Sequence, residues 1–246
     1  MIDLDKIARE YHLAPQEDMF IENICQVHEL EWVRATILPG SKVLELGYGD
    51  GVTFKNLTSY CELTVVDGSS LIVSRAREEA QILGSNSEIY ESYFETFSPN
   101  EKFDVIFASH VLEHVEDPEV VIKKFDEWLK PDGKVIIIVP NAQSIHRRLA
   151  VIMGLQKELD SLSQRDHLVG HLRVYTLAEL EKQIADLGWT IVTKRGFFLK
   201  TLSNAQMKDF DSQLIEAFAK ISNEIPPELC ANLAIVISRT NRDSTE

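Results

Sequence analysis

The chain carries a glycine-rich stretch, ELGYGDG at residues 45–51, directly after a strand-like run at residues 41–44. The three glycines of this stretch stand at every second position. Glycine has no Cβ atom, so such a loop can turn sharply and let its backbone lie close to a ligand. Asp67 ends the next apolar run, 20 positions after Gly47, where a carboxylate can receive a ribose diol. The spacing predicts a nucleoside-binding pocket at the carboxyl end of a parallel sheet.

Beyond this loop, short apolar runs alternate with segments of helical spacing. The predicted strands comprise residues 43–46, 63–66, 88–90, 103–108 and 134–139. The predicted helices between them comprise residues 52–59, 70–83 and 119–129. Continuous apolar strands separated by helices indicate a parallel sheet that is covered on both faces. A further helix is predicted near residues 205–221, and it is flanked by strand-like runs at residues 190–198 and 231–238.

Two segments depart from this alternation. Residues 1–40 show helical spacing of apolar positions until Pro39 and Gly40 end the pattern. The region after Pro140 is polar up to about residue 175 and is only partly helical. Thr176 and Glu179 then have the spacing of a capping box, which predicts that a helix begins there and runs to residue 187.

Composition and charge restrict the class of protein. A chain of 246 residues with 44% hydrophobic residues is long enough for one globular domain. The formal net charge is −14, from 39 acidic against 25 basic residues, and it would repel nucleic acid and anionic membranes. We therefore expect neither partner.

Cysteine usage and the N-terminal sequence indicate a reducing compartment. The three cysteines are far apart and lack metal-ligand spacing, which favours buried apolar roles for Cys25, Cys61 and Cys230. The N-terminus lacks the basic start and apolar run of a signal peptide. The most apolar stretch, residues 135–139, is too short to cross a bilayer. The sequence predicts a cytoplasmic protein.

Five motifs follow one another in a characteristic order, at residues 43–51, 65–69, 103–106, 110–118 and 129–135. In order and spacing they resemble the motifs of class I S-adenosylmethionine-dependent methyltransferases of the small-molecule type. This resemblance covers most of the chain. It implies an α/β fold, a Rossmann-like seven-stranded sheet with helices on both faces and a final antiparallel hairpin. It also implies one domain over residues 1–246.

The resemblance assigns the loop and the strand ends to the cofactor, S-adenosylmethionine. Gly47 and Gly49 would approach its methionine portion, and Glu45 would hold the loop near the cofactor ammonium. Asp67 would accept hydrogen bonds from both ribose hydroxyls. The expected cofactor set is completed by Tyr48, Gly68, Ser109 and His110.

The adenine side is assigned to the region after the third strand. Tyr93 or Phe94 is expected to stack on the ring, with Ser92 near the amino group. A place for Phe94 in the hydrophobic core is an equal alternative.

Three histidines are candidates for catalysis. His110 follows the fourth strand, where it would touch the ribose or sulfonium region or face the acceptor. His167 and His171 stand four apart, so a helix would place them on one face, suited to base catalysis or a metal. Two histidines alone are weak evidence for a metal site, and we predict no bound metal. A surface or capping role is the alternative for each, and His114 is expected to be a packing residue.

Residues 1–40 are expected to form a helical lid over the cofactor, with a dimer contact as the alternative. By the same resemblance, residues 141–175 are expected to form a variable cap over the acceptor. The cap residues predicted to bind substrate are Asn141, Arg147, Arg148, Arg173 and Tyr175. Arg147 and Arg148 could bind a phosphate or carboxylate of the acceptor. Alternatively, they cap a helix that begins near Ser144.

A nicotinamide-dependent dehydrogenase is the competing interpretation of the loop. Its fingerprint places the third glycine three positions after the second, whereas Gly51 follows Gly49 by two. Glu45 would repel a pyrophosphate but suits a cationic sulfonium and ammonium ligand. The sequence therefore favours S-adenosylmethionine over NAD.

The acceptor is expected to be a small molecule methylated on oxygen. Residues 111–115 and 139–141 resemble relatives that modify quinone precursors, sugars and natural products. N-methylation and a non-catalytic cofactor-binding partner subunit are the alternatives, and a homodimer is one option for the assembly. Adenine-N6 nucleic-acid methyltransferases are disfavoured, because residues 109–112 occupy the place of their Asn/Asp-Pro-Pro-aromatic run.

Overall fold

One seven-stranded β-sheet forms the centre of the fold. The computed structural model describes residues 3–14 and 17–240. Its strands are β1 Lys42–Leu46, β2 Glu62–Asp67, β3 Glu88–Glu91, β4 Phe103–Ser109, β5 Leu129–Pro140, β6 Trp189–Phe197 and β7 Asn232–Arg239. They are ordered β3-β2-β1-β4-β5-β7-β6. The first five strands are parallel, and β7 runs antiparallel between β5 and β6. The predicted Rossmann-like sheet with a final antiparallel hairpin is confirmed.

The helices of the described residues are α1 Leu4–Ile7, α2 Met19–Arg34, α3 Val52–Leu57, α4 Ser70–Leu83, α5 Pro118–Trp128, α6 Ile145–Ile152, α7 Gln164–Val169, α8 Leu177–Asp186, α9 Asn204–Met207 and α10 Ser212–Lys220. A π-helical turn, Ala8–His12, continues α1. The capping box at the start of α8 is formed as predicted, with both side chains of Thr176 and Glu179 bonded.

The predicted helix at residues 205–221 is wrong in its continuity. It is divided into α9 and α10, because Asp211 has an extended backbone and its carboxylate caps α10 by accepting from the Gln213 N–H. Strand β5 is also longer than predicted and takes in residues 129–133. Leu129 pairs with Phe103 of β4, and regular pairing resumes at Lys134 after an irregularity between Phe103 and Val105.

Helices cover both faces of the sheet. On one face, α5 and α8 pack Phe125, Trp128 and Leu180 against the strands. On the other face, Phe54 of α3 and Ala76 of α4 pack in a second core together with residues of α2. Because β1, β2 and β4 are parallel neighbours, their carboxyl ends meet at one edge of the sheet, and this edge carries the candidate site.

The predicted lid and cap segments both flank this edge. Residues 3–14 contain α1 and the π-helical turn, whereas residues 1–2 and 15–16 of the predicted lid lie outside the described residues, as do residues 241–246. Residues 141–175 contain α6 and α7, and Asn141 and Tyr175 are joined by a parallel β-bridge that closes the segment at its base. In the part of the chain that the structure describes, no helix has the length and apolarity required to cross a membrane.

Candidate functional site

A cavity of about 770 Å³ opens at the carboxyl ends of the parallel strands. The glycine loop after β1 forms one side of it, and the cap and α2 form the other. Residues of the N-terminal segment, among them Leu4, Ile7 and Tyr11, also line it. A volume of this size is typical of a small-molecule site.

Asp67 is held in a fixed orientation at the end of β2. Its Oδ2 accepts from the Tyr48 backbone N–H at 2.9 Å, and its Oδ1 accepts from the Ser69 N–H at 2.8 Å. Burial raises the pKa of Asp67, while these two backbone donors oppose the rise. A carboxylate has about four acceptor positions, so the two oxygens can still receive hydroxyl groups from the cavity.

Glu45 places an unpartnered carboxylate oxygen at the cavity wall. The side chain is buried, and its Oε2 accepts no hydrogen bond from any described residue. Burial raises the pKa of Glu45 well above its usual range. An ammonium group in the cavity would compensate this carboxylate, because buried charges require a partner.

The loop between these two carboxylates depends on its glycines. Gly47 and Gly49 have φ values of +77° and +54°, in the left-handed region that favours glycine. Tyr48 lines the cavity, but its ring is buried against Phe54 and its hydroxyl donates to Glu79. Tyr48 therefore acts on the site mainly through its backbone N–H, which orients Asp67. Its side chain contributes less.

The predicted adenine-side residues Gly68, Ser92, Tyr93 and Phe94 all line the cavity. Leu4 and Tyr93 lie over Gly68, where an added Cβ would be 2.6 Å from Leu4 Cδ1. Phe94 packs partly against the core, while the side chain of Tyr93 is exposed. Tyr93 is therefore better placed than Phe94 to cover an adenine ring.

His110 stands beside a fully buried carboxylate. It follows Ser109, which also lines the cavity, and has a left-handed φ of +54° that is unusual for a residue with a side chain. Its Nδ1 lies 3.0 Å from Glu113 Oε1. Burial alone would lower the pKa of His110, but the carboxylates of Glu113, Glu29 and Glu22 raise it to about 9.

His171 lines the cavity on the cap side. Its Nδ1 lies 2.9 Å from Asp166 Oδ1, and its ring packs edge-on against His114 with centroids 4.8 Å apart. His114 also lines the cavity, and burial lowers its pKa to about 4. One atom each of Glu113, His114 and His171 lies within 4.8 Å of the others, a spacing that would admit a metal ion.

His167 differs from the prediction. It is exposed and does not line the cavity that the described residues form. The expected pairing of His167 with His171 on one helical face is not made, because α7 ends at Val169 and Gly170 takes a left-handed φ of +83°. The chain reverses at this glycine and carries only His171 into the cavity.

Four of the five predicted substrate-binding residues also lie outside the cavity walls that the described residues form. Their side chains instead donate hydrogen bonds to backbone carbonyl groups. Arg148 donates to Gln143 O, Asn141 to Glu228 O and Cys230 O, and both Arg173 and Tyr175 to Leu112 O. Loop carbonyls that the strands and helices leave free need such donors. Asn141, Arg173 and Tyr175 thereby join the cap to neighbouring segments, whereas the bond of Arg148 lies within the cap.

Arg147 lines the cavity but is already engaged. It is buried, with its Nη2 2.7 Å from Asp166 Oδ2 and its Nη1 2.9 Å from Ser161 O. Burial would raise the pKa of Asp166, but the hydrogen bond with His171 and the ion pair with Arg147 lower it. Arg147 therefore organises the cap around Asp166 and His171, and offers little to an anion in the cavity.

A family model for a methyltransferase domain matches residues 15–194. The chain belongs to this family. Among its relatives, the ubiquinone biosynthesis O-methyltransferase of Actinobacillus pleuropneumoniae serotype 7 is 30% identical over 141 residues, covering 54% of this chain and 60% of that protein. The alignment thus spans less than two thirds of that relative.

Solved structures share the fold of this chain. A SAM-dependent methyltransferase from Aquifex aeolicus has a TM-score of 0.60 at 14% identity, covering 96% of this chain and 98% of that one. An N-methyltransferase from Bradyrhizobium japonicum WM9 in complex with S-adenosyl-L-homocysteine has a TM-score of 0.56 at 17% identity, covering 88% and 87%. Family membership confirms the resemblance to class I methyltransferases and agrees with S-adenosylmethionine as the cofactor.

The cavity wall also contains residues that were not among the predicted site residues. Glu22 and Glu29 reach the cavity from α2, and Arg165, Lys200 and Asn232 reach it from distant segments. The two glutamates lie seven positions apart, which places both on one face of a helix. This spacing could have been used to predict that they face the same site. The other three residues carry no local pattern, since only the tertiary fold brings them together.

Proposed function

We propose that the protein transfers a methyl group from S-adenosylmethionine to an oxygen of a small-molecule acceptor, such as a sugar, a quinone precursor or a natural product. The observation that carries this proposal is one cavity that joins the Asp67 and Glu45 carboxylates to His110. The similarity to ubiquinone biosynthesis O-methyltransferases supports an oxygen acceptor. A cytoplasmic location and a homodimer stay predictions from the sequence.

The cofactor supplies an electrophilic methyl group on a cationic sulfonium. In our proposal, Asp67 binds the ribose hydroxyls and Glu45 the ammonium, while Gly47 and Gly49 let the loop backbone approach. Tyr93 covers the adenine, with Gly68 and Ser92 beside it. The two carboxylates fit this cofactor because one has an unpartnered buried oxygen and the other has free acceptor positions facing the cavity.

His110 is the proposed general base. A hydroxyl acceptor must lose its proton as the methyl group is transferred, and a histidine within hydrogen-bond reach can take it. Glu113 fixes the orientation of the imidazole through Nδ1. The other ring nitrogen, Nε2, lies 3.5 Å from Asn232 Nδ2. His171 is proposed to shape the acceptor side, and His167 has no part in it.

The N-terminal segment and the cap would exclude water from this reaction. Asp5 accepts from the hydroxyls of Ser69 and Ser70 at 2.6 and 2.8 Å, which ties α1 to the start of α4 beside Asp67. Arg165 of the cap donates to Tyr11 and Asp18 at 3.0 and 2.6 Å. These contacts support the proposal that residues 1–40 form a lid and residues 141–175 a cap on a single domain.

Calorimetric titration with S-adenosylhomocysteine tests the cofactor part, with NAD as the competing ligand. Asp67→Asn should weaken binding about tenfold or more, because hydrogen bonds to a charged group are lost. Glu62→Gln, at the exposed start of the same strand, is the matched control. Preference for NAD, or unchanged binding in Asp67→Asn, would contradict the pocket assignment.

Methyl transfer to catechol and to small polyols tests the catalytic part. Transfer by the wild-type protein that falls at least a hundredfold in His110→Ala is expected. Tight binding of S-adenosylhomocysteine without transfer to any acceptor in a cell extract would instead favour a non-catalytic partner subunit.

A further inference from the structure

Lys200 is a cation at the wall of the acceptor side without a close partner. It lines the cavity and is half-buried, and its ammonium group makes no hydrogen bond or ion pair with any residue that the structure describes. Burial lowers the pKa of its ammonium group. A partly buried lysine without a partner stabilises the folded protein poorly, so a role toward a ligand accounts better for its position.

The backbone before Lys200 is bent in an unfavourable way. Phe198 has a φ of +63°, in the left-handed region that aromatic residues rarely adopt. The Lys200 N–H donates back to Phe198 O at 2.9 Å, and the Leu199 N–H donates to Phe218 O at 2.9 Å. Backbone strain of this kind is concentrated at ligand sites, and here it turns the chain after β6 toward the cavity.

Two further polar groups on the same side lack partners. Asn204 is buried and its Nδ2 donates to Glu22 Oε1 at 2.5 Å, but its Oδ1 accepts nothing from the described residues. The buried Nδ1 of His146 is likewise unpartnered, and the charge of Lys200 helps to lower the pKa of this imidazole. Both residues line the cavity. Buried polar groups are nearly always satisfied, so both atoms are available to polar groups of a ligand in the cavity.

The other charges on this side are compensated within the protein. Arg165 pairs with Asp18 at 2.6 Å and with Glu22 at 3.5 Å. Arg147 pairs with Asp166 at 2.7 Å. Glu22, the carboxylate with the largest effect on the pKa of Lys200, accepts hydrogen bonds from Arg165 and from the Asn204 amide, and it lies beyond ion-pair distance from the Lys200 ammonium. Lys200 keeps an ammonium group available to the cavity.

We propose that Lys200, His146 and Asn204 form a subsite for an anionic oxygen group of the acceptor, either a carboxylate or a phosphate. Lys200 supplies the charge, and Asn204 Oδ1 accepts a hydroxyl next to the anionic group. Lys200, His146 and Asn204 line the same cavity as His110, so one acceptor can contact both the subsite and the proposed base. This inference rests on the proposed function, which it narrows to acidic acceptors.

Calorimetry on the protein saturated with S-adenosylhomocysteine tests the subsite without requiring turnover. The probes are 3,4-dihydroxybenzoate, its uncharged methyl ester and phenyl phosphate. We expect the acid to bind at least tenfold more tightly than the ester, because a charge-assisted hydrogen bond is lost with the ester. A phenyl phosphate affinity above that of the acid would identify phosphate as the natural group.

Lys200→Met should remove the preference for the acid, whereas Lys200→Arg should retain most of it. Lys102→Met, an exposed lysine far from the cavity, should leave it unchanged. Equal binding of acid and ester by the wild-type protein, binding of neither, or an unchanged preference in Lys200→Met would overturn the subsite. The comparison of acid and ester binding by the wild-type protein tests the subsite even if Lys200→Met does not fold.

The failure of the two proposals can be told apart. If the wild-type protein does not bind S-adenosylhomocysteine, that result contradicts the proposed cofactor pocket and not the anion subsite. A protein that binds the acid selectively but methylates neither probe would keep the subsite and contradict catechol O-methylation.

Discussion

The Nδ1 of His110 lies 3.0 Å from Oε1 of Glu113, and Glu113 is entirely removed from solvent. A carboxylate in this position keeps a proton on the imidazole, with the result that the pKa of His110 is raised to about 9. The pair thus sets the pH range in which His110 can accept a proton from an acceptor hydroxyl.

The wild-type rate should therefore increase with pH. His110 acts as a base only when it is neutral, so kcat/KM should rise as the pH increases through about 9 and then level off. In Glu113→Gln the negative charge is lost, the pKa of His110 falls, and the midpoint should move to lower pH. A pH profile measured with a hydroxyl acceptor checks this shift.

Glu119→Gln is the control for this profile, since Glu119 is an exposed residue of α5 paired with Lys123. It should reproduce the wild-type midpoint. An identical midpoint in Glu113→Gln would show that His110 is not the titrating base.

Glu45 is expected to favour ligand binding at the expense of stability. Its pKa is raised by burial from the ordinary value of 4.5, so the folded apo protein binds this proton more tightly than the unfolded chain does. The stability that protonated Glu45 contributes is complete below about pH 4.5 and is lost as the pH rises through the higher folded-state pKa. Near pH 7, Glu45→Gln should stabilise the apo protein by about 1 kcal/mol, or roughly 2–4 °C in Tm.

The same Glu45→Gln variant should bind S-adenosylhomocysteine about tenfold more weakly, because the ligand ammonium loses its carboxylate. Thermal unfolding with and without ligand measures both effects. Glu62→Gln should change neither, and a lower apo Tm in Glu45→Gln would refute the assignment of a destabilising buried carboxylate.

The sequence was sufficient to place the glycine loop beside Asp67 at the sheet edge, because this placement depends on backbone conformation and on the ends of adjacent parallel strands. It was insufficient for Arg148 and Arg173. An arginine has the same local pattern whether it binds a ligand or a loop carbonyl, and only the folded chain brings it to Gln143 O or Leu112 O. Lys200 was missed for the same reason, since its site is formed with His146 from another segment.

Gly51 should be the least replaceable glycine of the loop. It has a φ of +74°, and an added Cβ would lie 2.7 Å from Cζ of the buried Tyr48 ring. Gly51→Ala should lower the free energy of unfolding by about 2–3 kcal/mol and weaken S-adenosylhomocysteine binding, because the Tyr48 N–H that holds Asp67 would move. Denaturant titration and calorimetry measure the two effects.

Gly84→Ala separates strain from steric overlap. Gly84 ends α4 with a φ of +63°, but an added Cβ would meet no atom within 4 Å. Its cost should be limited to about 1 kcal/mol, with ligand affinity unchanged. Equal costs for the two variants would mean that the Tyr48 ring can move aside.

Asp5 should govern the rate at which the cofactor leaves. Its carboxylate accepts from Ser69 and Ser70, which holds the N-terminal segment over the loop that follows Asp67. Asp5→Ala should leave the fold intact, because the contact lies on the surface of the sheet edge, but should speed dissociation of S-adenosylhomocysteine several-fold in stopped-flow measurements. Asp3→Ala removes a carboxylate that caps only the Lys6 N–H and should have no such effect. Equal dissociation rates in the two variants would contradict a lid, and would mean that the cofactor leaves by a route that the N-terminal segment does not cover.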